Sequence, residues 1–124
     1  MTPQQAAAFA QDWVSSWNAH DLDRIMAHYA EQLDFRSPLV QQLGAAPTGV
    51  IRSKAVLRTY FAAGLARYPD LYFELGQVLP GVDSVVLCYR SVNACPAAEY
   101  MELDAHGRVL RVRAHYADAA PTGR

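Results

Sequence analysis

The chain has 124 residues, 52% of them hydrophobic and 19% charged, a balance that supplies a buried core and excludes a disordered chain. One globular domain over residues 1–124 is therefore expected. Formal net charge is −1, and the basic residues are scattered from Arg24 to Arg124 without forming a stripe, which argues against nucleic acid as a partner.

No run reaches the roughly 18 apolar residues of a membrane helix, and Met1-Thr2-Pro3-Gln4-Gln5 lacks the basic-then-apolar plan of a secretory signal. A cytoplasmic protein with no membrane partner is the expectation. Cys88 and Cys95 lack metal-site spacing and read as buried thiols rather than a disulfide.

From Pro3 to about Asn18, Phe9, Trp13 and Trp17 recur every fourth residue beside Ala6, Ala10 and Val14, which predicts a helix with one apolar stripe. Pro3 suits its first turn. His20 or Asp21 then caps a second helix whose face carries Leu22, Ile25, Met26 and Tyr29. Leu33 to Ser37 reads as a short strand stopped by Pro38, with Phe35 and Ser37 on one face and Asp34 and Arg36 on the other. Arg36 should face away from any cavity.

Leu39 to Gly49 reads as a loop of the length that often covers a site. A third helix follows from about Ser53 to Arg67, carrying Val56, Leu57, Tyr60, Phe61 and Leu65. Beyond Tyr68-Pro69-Asp70 the period changes to two, and Leu71–Leu79, Ser84–Val92, Ala97–Asp104 and Val109–Tyr116 read as strands. Helices first and strands afterwards predict an α+β layout. Pairing the last two strands across His106-Gly107 puts Leu103 with Leu110, Met101 with Val112 and Glu99 with Ala114 on one face. Glu102 with Arg111 and Tyr100 with Arg113 then share the other face, where opposite charges attract across strands.

Four words of the sequence, Trp17-Asn18-Ala19-His20-Asp21-Leu22-Asp23, Phe35-Arg36-Ser37-Pro38, Tyr68-Pro69-Asp70-Leu71 and Asp104-Ala105-His106-Gly107-Arg108-Val109, come in an order that resembles the SnoaL-like group of the nuclear-transport-factor-2-like fold. The resemblance implies three N-terminal helices packed on a strongly curved, mainly antiparallel sheet that forms a cone with an internal pocket. It also implies a homodimer through the outer sheet face, where alternation places Arg111, Arg113 and His115.

Within that fold the chain is similar to ketosteroid isomerase, which uses a helix-one tyrosine, a buried neutral acid and an aspartate base before a proline. Here the tyrosine's place falls on Trp13, the base's on Ser37 and the acid's on Glu99. Serine is far too weak a base to take a proton from carbon at neutral pH, so that mechanism is disfavoured. SnoaL-type polyketide cyclases bring an acid in from the last strands, whereas the inward face of the final strand here offers Val112, Ala114 and Tyr116. The aspartate, arginine, aspartate trio of the fold's epoxide hydrolases cannot be assembled facing inward.

Glu99 is thus the candidate catalytic group. In an apolar pocket its carboxyl is pushed toward the neutral, donating form. At a frayed strand start it would reach water or an arginine instead. Trp13, Trp17, Phe35, Ser37, Tyr60, Phe61, Leu87, Tyr89, Met101, Val112, Ala114 and Tyr116 are the expected substrate-binding lining. No metal is expected: His28 and Glu31, three apart on a helix, lack a second ligand pair and read as a solvated face.

The expected function is a cofactor-free isomerase, cyclase or dehydratase of the SnoaL-like type. It would act on a small apolar, cyclic carbonyl compound with Glu99 as acid. The alternative is a non-catalytic small-molecule-binding or dimerisation module that lost its proton-transfer residues.

Overall fold

A computed structural model describes residues 1–117. Helix α1, Pro3–Asn18, starts on a reciprocal cap: Thr2 Oγ1 accepts from Gln5 N at 3.1 Å, and Gln5 Oε1 accepts from Thr2 N at 2.9 Å. Its stripe of Ala6, Ala10, Trp13, Val14 and Trp17 is buried. After the left-handed His20 (φ 55°), Asp21 caps α2, Leu22–Met26, by accepting from Arg24 N. This second helix is shorter than expected. Tyr29 lies beyond it and opens strand β1, Tyr29–Arg36, so the helical spacing of Tyr29 from Leu22 and Met26 misled the reading.

The segment read as a loop, Leu39 to Gly49, contains most of a short helix, and a strand not expected from the sequence follows it. Ser37 caps a short helix α3, Pro38–Gln42, through Ser37 Oγ accepting from Leu39 N at 3.2 Å, with Pro38 in the first-turn position that needs no N–H. Strand β2, Val50–Ser53, follows, and Ser53 caps α4, Lys54–Arg67, which buries Leu57 and Phe61 but leaves Val56 half exposed. The remaining strands are β3 (Glu74–Pro80), β4 (Ser84–Arg90), β5 (Pro96–Leu103) and β6 (Val109–Tyr116).

The six strands form one curved sheet in the order β2-β1-β6-β5-β4-β3, antiparallel throughout except for the parallel pair β1 and β6. This is an α+β fold, with the helices packed on one face. The hairpin register places Met101 opposite Val112, Glu99 opposite Ala114, Tyr100 opposite Arg113 and Glu102 opposite Arg111. Leu103, however, pairs with Val109 rather than Leu110, because an irregularity between Glu102 and Leu103 shifts the register by one residue at the turn.

On the outer face Arg111 meets Glu102 at 2.7 Å, and Asp34 gathers Arg36, Arg52 and Arg113. The hydrogen bond from Arg36, aided by the nearby positive charges, holds the Asp34 carboxyl below the usual carboxylate range. Arg36 points away from the cavity, as alternation requires.

The polar residues of the first sequence word prove to be ties. Asn18 Nδ2 donates to Phe73 O at 3.0 Å while Asn18 Oδ1 accepts from Phe73 N at 2.7 Å. His20 Nε2 lies 2.8 Å from Leu71 O, and since a carbonyl only accepts, this nitrogen carries the proton. The end of α1 is thereby fastened to residues 71–73. That segment is not strand, as had been expected, but an extended stretch held by side chains ahead of β3.

Candidate functional site

Where α1, α4, α3 and the inner face of β1, β4, β5 and β6 converge, an apolar cavity of about 80 Å³ remains. Its aromatic walls are mutually packed: Trp13 stacks on Phe73 at 5.8 Å, Trp17 meets Phe61 edge-on at 4.8 Å, and Tyr89 lies 5.3 Å from Trp13. Such pairs contribute about 1 kcal/mol each beyond area burial, which stiffens the walls.

Glu99 projects into this enclosure from the middle of β5 and is only 5% exposed. The frayed-start alternative is thus not what the fold produces. Tyr89, the neighbour of Ala97 on β4, donates from its hydroxyl to Glu99 Oε1 at 2.5 Å. Burial pushes the Glu99 carboxyl up to about 7, with the Tyr89 hydrogen bond acting the other way. Four phenols, Tyr29, Tyr60, Tyr89 and Tyr116, are pushed well above the ordinary tyrosine range, first by burial and next by the Glu99 charge. All four line the cavity, so they remain neutral hydroxyls around one carboxyl.

Of the residues expected to line the site, Trp13, Trp17, Phe35, Ser37, Tyr60, Phe61, Tyr89, Glu99 and Tyr116 do so. Leu87, Met101, Val112 and Ala114 do not: the first three sit on the inward face but are sealed into the core beneath other side chains, while Ala114, also buried, lines a separate open depression beside Pro38 and Gly49. Alternation along a strand sets the face a residue occupies and leaves open how deeply that face is covered.

Phe73, Leu71 and Tyr29 belong to the wall and were missed. For Leu71 and Phe73 the signal was their own period-two spacing, read only as strand core. Tyr29 is the more consequential omission. Trp13 Nε1 donates to Tyr29 Oη at 3.1 Å, and indole offers nothing but a donor, so the Tyr29 hydroxyl proton is directed elsewhere. Wholly buried, Tyr29 lines the same cavity as Glu99 and feels its charge. A phenol is therefore delivered from β1 although its expected place on α1 holds tryptophan.

Ser37 gives its oxygen to the α3 cap, which accounts for it without any basic role. His28 Nε2 contacts Asp12 at 2.8 Å, and Glu31, on β1 rather than on a helix, lies 3.5 Å from Lys54. Among the described residues no group of three potential metal ligands comes together. No helix among them is long and apolar enough to cross a membrane.

Comparison with known proteins agrees with this architecture. The family model of the SnoaL-like domain matches residues 10–118. No curated protein matches the chain. A SnoaL-like protein of unknown function from Burkholderia thailandensis is similar at 38% identity, with TM-score 0.90, over 94% of this chain and 98% of that one. A SnoaL-like family structure from Agrobacterium tumefaciens shares the fold at 17% identity and TM-score 0.74, covering 93% of this chain and 99% of its own. SalBIII, an epoxide hydrolase/cyclase-like enzyme in pyran ring formation in the polyether salinomycin, shares it at 18% identity and TM-score 0.74, over 92% of both chains. With a family match across most of its length and a relative above a third identical, the chain belongs to the SnoaL-like family.

Proposed function

We propose that the cavity takes the carbonyl end of a small, largely apolar, cyclic compound, and that Glu99 in its neutral form donates a hydrogen bond or proton to the carbonyl oxygen. This is the chemistry an isomerase, cyclase or dehydratase needs from an acid. The observation that carries the reading is one carboxyl set among aromatic walls, braced by Tyr89 and raised by burial to about 7, so that the neutral acid is available near neutral pH. Tyr29 supplies a second donor. SalBIII, similar in fold, is named for cyclase-like work on an oxygen ring, which is consistent with the reading at the level of fold alone.

Size restricts the ligand. An apolar cavity of about 150 Å³ holds a benzene, so the 80 Å³ enclosed here admits the reacting end of a molecule and not a fused-ring body.

A second reading, a binding module without catalysis, draws on one specific observation: among the described residues the cavity wall holds no carboxylate besides Glu99 and no histidine. Cyclopentanone labelled with ¹³C at its carbonyl separates the two. Binding should move the carbonyl resonance downfield in wild type and less in Tyr29→Phe. In heavy water a catalyst should accelerate deuterium uptake beside the carbonyl, with solvent water taking the C–H proton while neutral Glu99 protonates the oxygen and activity falling above pH 7, and Glu99→Gln should abolish the uptake while affinity stays within about threefold. Binding without uptake supports the module. No perturbation of the carbonyl at all refutes both.

A further inference from the structure

The cavity is not isolated. Tyr68, Leu71, Ser91 and Val92 also line a wider groove of about 430 Å³, so the two spaces share a wall. The groove also carries Arg67, at the end of α4, and Arg90, at the end of β4. Most arginines of the described chain are occupied: Arg24, Arg36, Arg52, Arg58, Arg111 and Arg113 each lie within ion-pair distance of a carboxylate. Among the described residues Arg67, Arg90 and Arg108 have no such partner, and two of these three face the same groove.

Arg67 is nevertheless oriented: its Nε donates to Tyr68 Oη at 3.3 Å and its guanidinium lies over the Tyr68 ring, 5.6 Å from the centroid. It therefore sits directly over the wall that separates groove from cavity. Asp70 and Glu74 line the groove as well, with no ion-pair partner among the described residues, so the formal charge of the described lining is balanced.

Resting on the reading that the cavity takes a carbonyl end, we propose that cavity and groove form one site for an amphipathic keto acid, with the carbonyl edge of the ring in the cavity and a carboxylate held by Arg67 and Arg90. A planar monoanion suits two guanidiniums. The neighbouring Asp70 and Glu74 would repel a phosphate, with its second charge, more strongly. The size argument points the same way: the cavity takes only part of a ligand, and Tyr68, Leu71, Ser91 and Val92, which it shares with the groove, put the groove next to whatever part remains outside.

The test uses ω-(2-oxocyclopentyl)alkanoates of graded chain length, each against its methyl ester, with binding read by fluorescence of Trp13 and Trp17. At the best-fitting length the acid should bind about tenfold tighter than the ester, with the advantage shrinking as salt is raised. The Arg67→Gln/Arg90→Gln double variant should erase that advantage and leave cyclopentanone affinity unchanged, since neither arginine lines the cavity. Equal binding of acid and ester at every length overturns the proposal, as does an acid preference that survives in the double variant. If cyclopentanone and the esters bind normally in either of those cases, the carbonyl reading of the cavity stands and only the groove assignment falls.

Discussion

Replacing Glu99 by Gln tests the electrostatics of the cavity without needing a ligand. The folded chain holds the carboxyl up to about 7 against an ordinary value of 4.5, chiefly by burial. At or below the ordinary value both folded and unfolded chains bind the proton, and Glu99 adds no pH dependence. As pH rises toward 7 the unfolded chain loses its proton first, so folding becomes progressively less favourable, and the full penalty is reached above 7. At about 1.4 kcal/mol per pKa unit, the penalty is about 3 kcal/mol. Gln keeps an oxygen to accept from Tyr89 and cannot ionise.

Urea unfolding followed by tryptophan fluorescence should therefore show Glu99→Gln gaining about 3 kcal/mol relative to wild type between pH 4.5 and pH 8. In thermal scans this is a relative gain of about 10 °C. Any fixed cost of burying the amide cancels, because it does not vary with pH. Parallel stability profiles for the two proteins over that interval would refute the claim that Glu99 is a desolvated acid.

Three further outcomes follow from the packing. Asn18→Ala strips the partners from both backbone groups of Phe73 and should cost about 2–3 kcal/mol in urea unfolding; a loss below about 0.5 kcal/mol would show that water replaces the tie. Gly49→Ala should cost about 1–2 kcal/mol by the same measurement, since Gly49 has φ 77° and an added Cβ would lie 3.2 Å from Ser37 O; a neutral result would mean the segment relaxes freely. Tyr29→Phe leaves Trp13 Nε1–H buried without its acceptor and should lose about 1–3 kcal/mol. Adding Trp13→Phe should then cost less than it does in wild type, and strict additivity would contradict the hydrogen bond.

Long periodic elements were legible from the chain alone. The α1 stripe, the α4 stripe and the alternation of the last two strands each repeat over several turns or residue pairs, and the hairpin pairing of Met101 with Val112 follows from that alternation. Short elements were not. Helices α2 and α3 span five residues each, too few to be stable without tertiary contacts, so their ends are set by what they pack against. The same holds for Tyr29, whose spacing fits a helix face as well as a strand start.

Glu99 as an inward acid could be inferred from pairing and period, because those properties are local. Its setting could not. That Leu87, Met101 and Val112 are sealed in the core while Tyr29 and Phe73 reach the cavity depends on which side chains cover the sheet at each depth. The direction of the Tyr29 proton likewise follows from Trp13, sixteen residues away, donating to its oxygen. Period and capping act over a few residues and are written in the sequence; depth, the hydrogen bond between Trp13 and Tyr29 and the lining shared by groove and cavity arise between segments far apart in the chain, and only their packing decides them.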